Sequence, residues 1–157
     1  MKQYAPLFAL VATSALAGLA VTAHTGGGFM DWMHGFMGVA LVIFATLKLF
    51  NPSQFAEGFS KYDIIAGKSH GYAVAYPFIE LALGLAYLAH WNPHWTYTMT
   101  IALFAIGIIG VTSALKNGLK TNCACMGTAL NVPLSHVTLA EDIAMIGMSA
   151  FMLVQIS

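Results

Sequence analysis

The chain has 157 residues, of which 59% are hydrophobic and only 8% charged, with six lysines, no arginine, six acidic residues and zero formal net charge. A soluble domain carries about 25% charged residues, so this composition excludes an ordinary water-soluble fold, and a mean hydropathy of +0.76 points to a polytopic membrane protein. The neutral, arginine-free surface also sets nucleic acid aside as a partner, leaving the lipid bilayer as the first one.

Five apolar runs predict crossings over residues 4–23, 29–50, 72–91, 95–115 and 138–156, within a single integral membrane domain of residues 1–157. The fold class expected is all-α. In the first run, the small pairs Ala9/Thr13 and Ser14/Gly18 have the spacing that lets another helix approach closely. Val21-Thr22-Ala23 has the small-residue character of a leader cleavage site, so a cleaved signal is the alternative to the retained helix expected here.

A turn at Gly26-Gly27-Gly28 leads into the second run, whose opening holds Met30, Met33, His34 and Met37 at i, i+3, i+4 and i+7. These stack on one helical face over about 10 Å. Thioethers and imidazole suit Cu(I) and similar soft cations, whereas a methionine stripe is also ordinary core filling. Asp31 and His34 beside a water boundary favour the ligand reading. Lys48, at the other end of the run, is expected to snorkel to water.

Asn51 and Pro52 predict an N-cap and first residue of a short helix. Its face of Phe55, Phe59 and Tyr62 beside Glu57, Lys61 and Asp63 suggests an amphipathic segment lying in the cytoplasmic interface. In the third run Glu80 falls about 12 Å inside its helix, where an ionisable group marks either proton carriage or a buried contact to Tyr76 or a neighbouring helix. A tight turn at Asn92-Pro93 joins the third and fourth runs, with Trp91, Trp95 and Tyr97 in position for an aromatic belt. His24, His90 and His94 fall on this outer side and can supplement the methionine stripe, while His70 and His136 fall inside.

The connection before the last run carries the only two cysteines, Cys123 and Cys125. A Cys-x-Cys disulfide is strained by its short span, and three readings stay open: a soft-metal pincer, a redox pair and inert thiols. Thr138 and Glu141 form a capping-box pattern that predicts the start of the last helix. Met145, Met148 and Met152 share one of its faces, as a core stripe or as stepping stones between the outer methionines and the cysteines. Lysines occur before the first run, between the second and third, and between the fourth and fifth. The basic-inside rule then predicts a cytoplasmic N-terminus, an outer C-terminus and a cytoplasmic cysteine connection, in the inner membrane of a bacterium.

Lys48-Leu49-Phe50, Phe55-Ala56, Lys61-Tyr62-Asp63-Ile64, Tyr76-Pro77-Phe78-Ile79-Glu80-Leu81-Ala82-Leu83-Gly84 and Cys123-Ala124-Cys125-Met126-Gly127-Thr128, followed by Pro133 and Glu141, resemble the MauE/DoxX-like redox-associated membrane proteins. The resemblance runs from about Asp31 to the C-terminus. It implies a four-helix membrane core, here with an added N-terminal helix, and an association with thiol redox maturation. The Met-His-x-Phe-Met-like and Cys-x-Cys-x-Gly-Thr segments are similar to modules joined to heavy-metal-associated domains, whose Cys-x-x-Cys does not occur in these 157 residues.

The leading expectation is Cu(I) binding or transfer, with Met30, Met33, His34 and Met37 collecting the ion outside and Cys123 with Cys125 holding it inside. The alternatives are thiol–disulfide chemistry at Cys123/Cys125, which would make the protein a thiol oxidoreductase, and an accessory role in a larger membrane complex. A metallochaperone or a thioredoxin-like protein is the corresponding partner.

Overall fold

A computed structural model of the chain describes residues 5–118 and 136–157. These form six helices: α1 (Ala5–Thr25), α2 (Phe29–Leu49), α3 (Pro52–Phe59), α4 (His70–Leu88), α5 (Pro93–Lys116) and α6 (His136–Ile156). All except α3 contain a stretch long and apolar enough to cross a membrane, so the protein is an all-α, multi-pass membrane protein.

The helix boundaries follow local chemistry. Asn51 caps α3 by accepting a hydrogen bond from the Gln54 amide at 3.2 Å, with Pro52 at the first helical position where a missing N–H costs nothing. Ser69 caps α4 through the Tyr72 amide, and Asn92 enters the left-handed region at φ 37° to start α5 at Pro93. The last helix differs from expectation. It begins at His136, so Thr138 stands inside its first turn and is not the N-cap.

α2 is the central helix, packed along α1 on one side and α4 on the other, while α5 pairs with α6. Both of its long contacts depend on glycine. A Cβ on Gly84 would lie 2.9 Å from the Val42 amide nitrogen, closer than side-chain carbons come to backbone, and a tight 3.1 Å from the Gly38 carbonyl. At the α1 contact, a Cβ on Gly35 would lie 2.9 Å from the Gly18 Cα. The Ser14/Gly18 pair therefore does what its spacing suggests, with Ser14 buried, whereas Ala9 and Thr13 face outward. α4 and α5 touch less, and an open apolar groove of about 630 Å³ runs between them.

The short helix α3 turns its apolar face into the protein. Phe55, Ala56 and Phe59 are fully or almost fully buried, with the Phe59 ring 4.6 Å from that of Tyr76 and 6.4 Å from that of Tyr72 on α4. The amphipathic pattern was legible; its partner is the aromatic surface of α4, not lipid. The segment thus roofs one end of the bundle, here termed the lysine end. The opposite end carries the 26–28 turn and the start of α5.

Adding a side chain at Gly84 tests the α2–α4 contact. Gly84→Val is expected to destabilise the bundle by about 1–3 kcal/mol through overpacking, read as an earlier unfolding midpoint by circular dichroism during titration with a denaturing detergent. Gly58→Ala, where no atom lies within 4 Å of the added carbon, is the control expected to leave the midpoint nearly unchanged.

Candidate functional site

Two buried polar clusters lie on α2, fourteen residues and therefore about 21 Å apart along the helix, with Met37, Leu41 and Phe44 filling the core between them.

The first cluster is anchored by Asp31 in the opening turn of α2. Its carboxylate accepts the Gly28 amide at 3.1 Å and faces the His90 Nε2 at 3.4 Å. His90, held at φ 51° just after α4, lays its ring parallel to that of His34, with centroids 4.2 Å apart and planes 4° apart. His34 is buried. Its Nδ1 donates to the Tyr87 carbonyl at 3.1 Å, since a carbonyl can only accept, and its Nε2 hydrogen-bonds the Tyr97 hydroxyl. Tyr87 in turn shares a hydrogen bond of 2.9 Å with Ser149 on α6. One imidazole thereby connects the half-exposed Asp31 and His90 to side chains of α4, α5 and α6.

The second cluster sits beneath α3. Lys48 is not at the water surface: it is 3% exposed, and its Nζ donates to Glu80 Oε2 at 2.5 Å. The Tyr76 and Phe55 rings stand 5.1 and 5.8 Å from the ammonium. Snorkelling fails because α3 covers that helix end, leaving the side chain to turn inward to the carboxylate of the neighbouring helix. Glu80 on α4 thus makes a buried contact to α2. A cavity of about 40 Å³ opens beside the pair, lined also by Tyr62, Glu141 and Asp142. Glu141 Oε1 is buried without a hydrogen-bond partner.

The positions singled out for metal binding distribute unevenly. Met33 and Met37 are buried in the core, Met30 is partly buried against it, and both ring nitrogens of His34 are engaged. This arrangement corrects the expectation of a stripe beside water: Met33, His34 and Met37 instead turn into the bundle core, with only Met30 partly exposed. Met145 and Met152 join the same apolar core, with Met148 at its edge. His24 and His94 are exposed, and Tyr97 is drawn inward from the aromatic turn to His34 while Trp91 and Trp95 remain outside. Among the described residues no group of three or more histidine or acidic side chains is placed to hold a metal ion. Cys123 and Cys125 lie outside the described residues.

Sequence reasoning missed the Lys48–Glu80 pair, the Tyr87–Ser149 link and the place of Asp142 in the cavity lining. The signal for the first was present: a deep carboxylate requires a cation, and Lys48 is the one lysine inside a predicted crossing.

A family model described as methylamine utilisation protein MauE matches residues 26–155. The chain belongs to the MauE family. The match takes in α2 through α6 almost entirely and leaves α1 outside, in agreement with a family core to which an N-terminal helix is added. No curated protein and no solved structure matches the chain.

Breaking the buried pair in this MauE-family core tests its place in the bundle. Lys48→Met leaves Glu80 without its cation and is expected to cost about 3–5 kcal/mol, whereas Lys48→Met/Glu80→Leu is expected to recover most of the loss. The detergent-unfolding midpoints of the two variants, compared with the parent, give the measurement.

Proposed function

We propose that this MauE-family membrane protein performs thiol–disulfide exchange with Cys123 and Cys125 as the reactive pair, acting as a single membrane domain of residues 1–157. The observation that carries the reading is the state of the α2 residues: His34 has both nitrogens in hydrogen bonds and Met33 and Met37 are core side chains, so the strongest competing ligand set is occupied by packing. The cysteine pair is then the main reactive constellation left in the sequence.

In the proposed reaction a Cys123 or Cys125 thiolate attacks a disulfide sulfur of a thioredoxin-like partner, giving a mixed disulfide and one partner thiol. The second cysteine resolves it. The products are the Cys123–Cys125 disulfide and two partner thiols, so two electrons and two protons pass from this chain to the partner. The short Cys-x-Cys span favours the reverse direction, in which this chain oxidises the partner. The cysteine segment joins α5 to α6 at the lysine end, where Lys61, Lys68 and Lys116 are exposed. Their charge supports a cytoplasmic placement for that end and an outer placement for the C-terminus, in a bacterial inner membrane.

Cu(I) handling is the second reading, favoured by Met145, a soft-ligand residue that lines the cavity on α6, the helix that follows the two cysteines in the chain. In this form the metal is held by Cys123, Cys125 and Met145 and received from a metallochaperone, with Met30, Met33, His34 and Met37 in a structural role.

The two readings separate in one set of measurements on reconstituted full-length protein. Differential alkylation across thiol–disulfide buffers is expected to reveal a reversible two-electron Cys123/Cys125 couple, and a Cys125→Ser variant is expected to trap a mixed disulfide through Cys123. Thiols that stay reduced throughout, together with stoichiometric Cu(I) binding abolished by Cys123→Ser/Cys125→Ser, would replace the first reading by the second.

A further inference from the structure

Three of the six acidic residues of the chain, Glu80, Glu141 and Asp142, line the cavity under α3 together with one cation, Lys48. Lys48 is committed to Glu80 at 2.5 Å. Among the described residues the other titratable groups facing the cavity are Tyr62 and Tyr76; α3 contributes Phe55 and Phe59, and α5 contributes Phe104, Gly107 and Val111. One ammonium balances one carboxylate. Among the described lining residues no second cation is left for Glu141, and uncompensated charge in an apolar interior is costly.

The size and wall of the cavity indicate what supplies it. About 40 Å³ accommodates a few waters at most, at about 10–15 Å³ each. Glu141, whose Oε1 is buried without a hydrogen-bond partner, is one of the residues that line this space. The described acidic side chains do not converge as a metal-binding group. A proton, on a carboxyl group or shared with a water, meets these constraints.

A second cavity of about 260 Å³ adjoins the first where α1 and α6 flank α2. Its lining, which includes Leu7, Val11 and Ala144, is apolar except for Glu141. The two cavities share Phe44, Glu141 and Met145, so a single carboxyl group stands between a polar chamber and a lipid-facing recess. α3 roofs the chamber on the aqueous side.

We infer that the chamber is a proton-binding site in which Glu141 is the exchangeable carboxyl group, approached sideways from the bilayer between α1 and α6. The site is independent of the chemistry assigned to Cys123 and Cys125.

The experiment uses full-length protein in liposomes and the lipid-soluble reagent dicyclohexylcarbodiimide, which attacks protonated carboxyl groups in apolar surroundings. Peptide mass spectrometry is expected to find Glu141 modified several-fold faster than by a water-soluble carbodiimide, with the rate falling as pH rises. Ala144→Phe narrows the recess and keeps the carboxyl group; it is expected to slow the modification several-fold. Glu141→Gln is expected to remove an infrared carbonyl band of a protonated carboxyl group, with helix content checked by circular dichroism. Should that variant fail to fold, the parent and Ala144→Phe still decide the matter. The inference is overturned if Glu141 in folded parent protein stays unmodified at acid pH, if the water-soluble reagent reacts as fast, or if sodium ions suppress the modification.

Discussion

An ammonium group and a carboxylate in direct contact inside an apolar bundle set the constraint on which the lysine end depends. Neither Lys48 nor Glu80 can face hydrocarbon alone, and their contact at 2.5 Å ties α2 to α4 at one register. The pair also dictates its roof. Water at the helix end would hydrate Lys48 and weaken the attraction, and α3 prevents this by laying Phe55 and Phe59 over the site. Net stability is not the main product of such a pair, since desolvation offsets much of the Coulomb attraction. Its consequence is specificity: a slip of α2 against α4 separates two buried charges.

Glycine makes this contact geometrically available. Gly38 and Gly84 bring α2 and α4 to backbone distance. In a bilayer, where apolar burial between helices gains little over lipid contact, close van der Waals packing and buried polar pairs must supply the association. The α4–α5 contact lacks this device, and an apolar groove remains there. The two long contacts of α2 thus coincide with the placement of its small residues.

The two polar clusters differ in character. At one end, His34 saturates its ring with Tyr87 and Tyr97 and stacks on His90, so the arrangement is closed and positions four helices. At the other end, Lys48 satisfies Glu80 but leaves two further carboxyl groups around a cavity. The contrast separates imidazole used as a structural linker from a carboxyl group, that of Glu141, with a buried oxygen left unpartnered. The apolar layer of Met37, Leu41 and Phe44 keeps the clusters apart, and methionine serves there as an adaptable filler.

The sequence by itself determined the membrane class, the five crossings, the Asn51-Pro52 helix start and the α1 face at Ser14/Gly18, because these follow from composition, periodicity and local capping chemistry. Family membership was legible too, through ordered motifs from Lys48 to Glu141. The partners of the side chains were not. A heptad-spaced set such as Met30, Met33, His34 and Met37 fixes a helix face but carries no information about which helix covers it, and α4 brought Tyr87 to His34 across a separation of 53 residues. Likewise Lys48 and Glu80, 32 residues apart, are each readable as a lone charge near or within a membrane. Only the docking of α2 on α4 under α3 made them one pair and set Glu141 and Asp142 beside it, because the cost of a buried charge is decided by which atoms surround it and not by its place in the chain.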